Sequence, residues 1–216
     1  MAATRETRVT ASSRAARVVK REDGTSVVEG YAAVFYRQDQ PGTEYRLWDD
    51  LVERVAPGAF DRALRERQDV RALFNHDPNQ LLGRTAAETL RLSVDAIGLR
   101  YEITLPDTQL GRELPVLMER GDVSGSSFSF VARKVSYQRG EAGKPDVRTL
   151  EDVDLWDVGP VVFPAYEGTT AAARAVGDVD EILAERQHFR EMLASDAEAV
   201  RVRCRLLELD ACEGSC

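Results

Sequence analysis

Few residues in this chain suit acid–base or nucleophilic chemistry at neutral pH. Among 216 residues there are two histidines, His76 and His188, and three cysteines, Cys204, Cys212 and Cys216. His76 lies in FNHDPNQLLGRT, where a β-prone run gives way to a loop. Loops held by strand ends commonly carry catalytic groups, and an exposed loop histidine is the plainer alternative. Residues 121–130, GDVSGSSFSF, put four serines into six positions. Alternation along a strand sends Ser127 and Ser129 to one face and Phe128 and Phe130 to the other. A serine on a rigid strand becomes a nucleophile when a base reaches its Oγ, and the same small residues also suit a strand packed closely on a neighbour. In LEDVDLWDVGPVVFPAY (150–166), Val153, Leu155 and Asp157 share one face, with Asp152, Asp154 and Trp156 on the other. A carboxylate on a half-buried face is costly unless paired. Asp157 is therefore either an orienting group for an imidazole or a solvated carboxylate on an edge strand.

The elements that must carry these groups are mainly strands. Val18–Val19 and the run from Val27 to Phe35 flank Asp23–Gly24, a hairpin signal. Residues 37–47 read as an irregular loop, and Pro57–Gly58 introduces a short helix carrying Phe60 and Leu64. DVRALF (69–74) alternates as a half-buried strand that ends just before His76. Strands follow around 89–94 and 99–104, and a helix over 107–120 interrupted by Pro115, with Gly121 as its stop. Two long alternating strands, 123–137 and 148–163, complete the set. The pattern predicts a core over 18–165 that is mainly β with a few helices. In the last forty residues Ile182, Phe189, Leu193, Val200, Cys204 and Leu207 recur at helical spacing, an amphipathic helix that needs a partner surface. The expected division is a basic mobile arm at 1–17, a body at 18–175 and an amphipathic helical tail at 176–216.

Charge and composition exclude several classes. The net charge is −8, which disfavours a nucleic-acid-binding body, and no apolar run approaches the about 20 residues that span a bilayer. Residues 1–21 carry six basic residues and one acidic, with no apolar core of a secretory signal. All three cysteines fall after residue 203, so the body has no disulfide framework, as expected in a reducing compartment. Their spacing, with no CxxC pair, predicts no structural zinc, and no cofactor is expected.

Taken in order, GYAAVF, VAPGAFDRAL, FNHDPNQLLGRT, LPDT, GDVSGSSFSF and LWDVGPVVFPAY resemble the prohead protease family of tailed bacteriophages over roughly 25–175. That family is related in fold to the herpesvirus assemblin proteases. With the resemblance, the expected fold is α+β, mainly an antiparallel β-barrel with surrounding helices and a C-terminal amphipathic helix, with 18–175 as the protease domain. The resemblance implies a serine endopeptidase of phage head maturation whose pair is His76 and Ser127, with Asp157 as the third, acidic member. Asp157 stands where the family usually has Glu, and Ser129 where it often has Gly. The implied substrate is the scaffolding segment of the major capsid protein, together with the protease itself, inside the immature phage head in the host-cell cytoplasm. A homo-oligomer is expected, with no nucleic-acid or membrane partner. Two other readings fit parts of the sequence: a non-catalytic capsid-assembly or scaffolding protein, and a serine hydrolase using Ser127, Asp157 and His188, in α/β-hydrolase order. Against the latter, Ser129 replaces the final Gly of a nucleophile elbow.

Overall fold

A computed structural model describes residues 5–10, 16–141, 143–163, 179–180 and 182–195. Its chain divides into two units, 1–177 and 178–216. The first unit begins with β1 (Glu6–Thr10), β2 (Arg17–Lys20) and β3 (Ser26–Val34), the last two joined through a turn in which Gly24 takes φ +83°. Next come β4 (Tyr45–Trp48), β5 (Leu51–Val55) and α1 (Asp61–Arg65), then β6 (Arg71–Leu73), β7 (Leu81–Arg84), β8 (Leu90–Val94) and β9 (Gly98–Thr104). Helix α2 (Gln109–Glu119) precedes the long pair β10 (Gly125–Gln138) and β11 (Asp146–Val161). Thr108 caps α2 by accepting from the Gly111 N–H at 3.2 Å, and Gly121, at φ +84°, ends it. Pro115 sits buried inside α2 without ending it.

The strands form two sheets that do not close into the expected barrel. One runs β1-β10-β11-β5-β4, with β6 and β7 joined to it through β11, and the other runs β2-β3-β9-β8. Pairing is not wholly antiparallel either, because β11 runs parallel to β5 along 146–150 and parallel to β6 at Asp157 and Val158. Alternation in a sequence reports which face is buried but not which strand lies alongside, so closure and direction were beyond it. Side chains, rather than ladder bonds, tie the two sheets together. Tyr101 of β9 and Ser126 of β10 share a hydrogen bond at 2.8 Å, and the Thr10 hydroxyl donates to the Ala32 carbonyl at 2.6 Å.

Between the sheets lies a core in which aromatic rings from distant segments meet. Phe35 stacks on Phe60 at 6.2 Å, Phe60 meets Phe128 edge-on at 5.8 Å, and Phe128 stacks on Phe130 at 4.9 Å. Each such pair adds about 0.5–1.5 kcal/mol beyond the area it buries. Because Phe128 and Phe130 are held there, the intervening residues of β10 have their direction set. α1 is anchored from outside: Arg62 donates to Asp152 at 2.8 Å and to Asp154 at 2.6 Å, so the polar face of β11 is paired.

Residues 6–10 differ most from expectation. Assigned by their charge to a mobile arm, they form β1, paired along its length with β10. Arg8 is fully buried there, donating to Glu53 at 2.6 Å and to Glu6 at 2.5 Å, while Arg148 donates to Glu6 at 3.0 Å and pairs with Glu53. Residues 45–47, the end of the stretch read as loop, belong to β4, with Tyr45 buried near Thr10 and Phe128. In the second unit, residues 182–195 are helical as the spacing of Ile182, Phe189 and Leu193 predicts. Cys204, Cys212 and Cys216, and the continuation of the helical pattern to Leu207, lie outside the described residues.

Candidate active site

The site begins on β10. Antiparallel pairing sets Ser127 opposite Gly159 and Ser129 opposite Asp157 on β11. With both phenylalanines directed into the core, Ser127 and Ser129 share the other face, as alternation predicts. Gly159 is required by a close approach: a Cβ there would lie 2.0 Å from the Leu73 carbonyl oxygen. That contact lets β6 run beside β11 and delivers the following loop to the end of β11.

His76 stands on that loop in an uncommon backbone conformation. Asn75 and His76 have φ of +54° and +59°, a left-handed geometry that costs a non-glycine residue about 1–2 kcal/mol. Several bonds hold it. The Asn75 N–H donates to the Pro160 carbonyl at 3.1 Å, and the Asn75 side-chain oxygen accepts from the Val162 N–H at 2.9 Å. On the far side the Asp77 carboxylate accepts from the Asn79 N–H at 2.8 Å. The loop is thereby fastened to the strand that carries Asp157.

In that position the imidazole bridges the two other groups. Nδ1 bonds the Asp157 carboxylate, and Nε2 lies 2.6 Å from Ser127 Oγ. An ionised carboxylate only accepts, so the network assigns the ring proton to Nδ1 and leaves Nε2 to accept from the Ser127 hydroxyl. The other Asp157 oxygen accepts from the Ser129 hydroxyl at 2.5 Å and pairs with Arg5, whose Nε also donates to Ser129 Oγ at 2.8 Å. Burial pushes the Asp157 carboxyl up, but its bond and charge interaction with His76, the Ser129 hydroxyl and the Arg5 charge outweigh burial and hold it below 3.8. It is thus ionised at neutral pH, as an acid that orients an imidazole must be.

Ser127 is 0% exposed. Besides facing His76, its hydroxyl lies 2.8 Å from the Arg8 carbonyl oxygen on β1. Beside His76 opens a cleft of about 610 Å³ bounded by Arg5, Thr7, Val9, Asn75, Val161 and Phe163.

The three residues singled out in the sequence are therefore brought together. Asp157 is paired, not solvated on an edge. His188 is an exposed residue of the 182–195 helix, and the place that the alternative hydrolase reading gives it, between Ser127 and Asp157, is filled by His76. Three contributors escaped the sequence reading: Arg5, the Arg8 carbonyl and Asn75. Only Asn75 left a signal, since Asn is among the few residues that tolerate φ > 0.

A serine hydroxyl, an imidazole and a carboxylate linked in this order on a β framework make the arrangement that serine hydrolases use. The family model described as caudovirus prohead serine protease matches residues 14–183. The chain belongs to that family and is a protease of phage head maturation. Among solved structures it is similar to the bacteriophage T4 capsid assembly protease gp21, at 9% identity and a TM-score of 0.48, over 74% of this chain and 99% of that one. No curated protein matches the chain. No helix among the described residues is long and apolar enough to cross a membrane.

Proposed function

We propose that the chain is a serine endopeptidase of the His-Ser-acid type, with Ser127 as nucleophile, His76 as general base and then acid, and Asp157 as the group that orients the ring. The observation that carries this reading is the single imidazole bonded to Ser127 on one side and to Asp157 on the other. As Ser127 Oγ attacks a peptide carbonyl carbon, its proton passes to His76 Nε2 and the carbonyl oxygen takes the negative charge. Collapse breaks the C–N bond, and Nε2 returns the proton to the leaving amine. Water, deprotonated by the same nitrogen, then hydrolyses the Ser127 ester and regenerates the site. Throughout, the Asp157 carboxylate keeps Nδ1 protonated and stabilises the imidazolium formed in each transition state.

The substrate on this reading is the scaffolding segment of the major capsid protein, together with the protease itself, inside the immature head in the host cytoplasm. Incubation of the wild-type chain with the capsid protein bearing that segment, followed by intact mass measurement, tests it. Wild type and His188→Ala release fragments, while Ser127→Ala and His76→Ala lower the rate about 10⁶-fold, to the limit of detection. Fragments that persist with Ser127→Ala remove the nucleophile assignment. A wild-type chain that cleaves nothing yet assembles with capsid protein supports a non-catalytic assembly protein instead.

A further inference from the structure

A nucleophile must be reached by its substrate, and Ser127 is 0% exposed. What lies against it on one side is β1. This strand pairs antiparallel with β10, Val9 opposite Ser127 and Thr7 opposite Ser129, as an added peptide strand does in β-augmentation. Its alternate residues Arg5, Thr7 and Val9 form one wall of the cleft beside His76. The Arg8 carbonyl presents its oxygen to the Ser127 hydroxyl at 2.8 Å. In productive attack the carbonyl carbon faces Oγ and the oxygen is turned toward other donors. An oxygen that accepts the hydroxyl proton occupies the place of a substrate without being cut. It also competes with His76 Nε2 for the one proton that Ser127 has to give. Meanwhile Arg5 pairs with Asp157, placing a positive charge beside the carboxylate that must stabilise an imidazolium.

We infer that the edge of β10 beside Ser127 is the peptide-binding edge of the protease, and that β1 is its resident occupant, which an extended segment of substrate displaces. This rests on the proposed function above. The electrostatics permit such an exchange: β1 brings one acid and one base, Glu6 and Arg8, to a buried cluster whose other members are Glu53 and Arg148. Withdrawal of β1 removes a neutral pair and leaves a neutral pair. Residues 5–10 also lie outside the 14–183 family match.

The test reads access to Ser127 through its rate of labelling by a fluorophosphonate, followed by intact mass. Arg8→Glu puts a third carboxylate beside Glu6 and Glu53 and expels β1 from the full-length chain. It raises the labelling rate about tenfold or more, the factor set by how far the closed population exceeds the open one. Added synthetic peptide of residues 5–10 slows it again. A second measurement on the unaltered sequence guards against loss of fold in the variant. In wild-type chain labelled to completion, amides of residues 6–10 exchange with deuterium faster than in unlabelled chain, since the adduct takes the space of the Arg8 carbonyl. Equal labelling rates in Arg8→Glu and wild type, or unchanged protection of residues 6–10 after labelling, overturn the inference and leave the nucleophile assignment standing. If neither wild type nor Arg8→Glu is labelled, the nucleophile assignment falls and this inference falls with it.

Discussion

Asn75 shows how one side chain can serve both conformation and chemistry. It occupies φ +54° directly before His76 at φ +59°, and its side chain accepts from the Val162 N–H at 2.9 Å. Ala at this position meets the full left-handed penalty and loses that bond. The two effects together amount to about 2 kcal/mol. Gly relieves the backbone but not the lost hydrogen bond. Urea unfolding is expected to show Asn75→Ala about 2 kcal/mol less stable than wild type, with Asn75→Gly falling between them. Both variants cleave more slowly, because a loop no longer fastened to β11 holds the imidazole less firmly between Ser127 and Asp157. A variant that matched wild type in stability and rate would show that the bonds around Asp77 and Pro160 suffice. Asp157 makes a related point. It is one methylene shorter than the Glu that the resemblance leads one to expect, and the Ser129 hydroxyl that departs from Gly bonds it at 2.5 Å. The two departures touch each other.

Among the strands, β1 meets both the face of β10 that carries Ser127 and a buried charge cluster. The buried cluster joins β1, β5 and β11 through two acids and two bases. Removing one member of such a set leaves a charge without its partner, at about 3–5 kcal/mol. Glu53→Gln is expected to lose that much in urea unfolding at pH 7. Burial pushes the Glu53 carboxyl up, yet the charges of Arg8 and Arg148 outweigh it and hold the group below 4.5. The unfolded chain therefore binds this proton at higher pH than the folded one. The contribution of Glu53 is complete above 4.5 and is lost as the pH falls below that value toward the lower folded one. The acid limb of stability should consequently be shallower in Glu53→Gln, and an unchanged limb would exclude Glu53 from acid unfolding. This cluster also explains what the sequence concealed. Arg8 reads as one of six basic residues within 1–21 because its acidic partner Glu53 lies 45 positions away and Arg148 is farther still. Alternation in 121–130, by contrast, is local, and it placed Ser127 and Ser129 on the face they occupy. In 150–166 a bulge at Trp156 breaks the alternation, so Asp157 lies on the Ser129 face and not with Val153 and Leu155 as its spacing predicts. His76 could be put at a strand end, but its left-handed backbone depends on the end of β11, far along the chain.

For the whole molecule the informative boundary is between 177 and 178, where the chain divides into its two units. Residues 178–216 hold five basic and ten acidic residues, so 5 − 10 = −5 of the net −8 belongs to the last 39 positions. The residues of the site all lie in the first unit, and 182–195 form a helix in the second. A helix of this length is marginal in water by itself and is sustained by packing of its apolar stripe. The stripe through Ile182, Phe189 and Leu193 continues in sequence to Val200, Cys204 and Leu207, a pattern that needs a partner surface. Ending the chain at 177 should therefore separate two properties. The fluorophosphonate labelling rate of Ser127 and the midpoint of urea unfolding stay at the wild-type values. Sedimentation shows the full chain as an oligomer and the shortened chain as a monomer, and incorporation into immature heads falls. Loss of the cooperative urea transition on shortening would instead make the second unit part of the folding core. A shortened chain that still sediments as an oligomer and is still packaged would move the association surface into the first unit, where the strand edges of its two sheets are the surfaces to test.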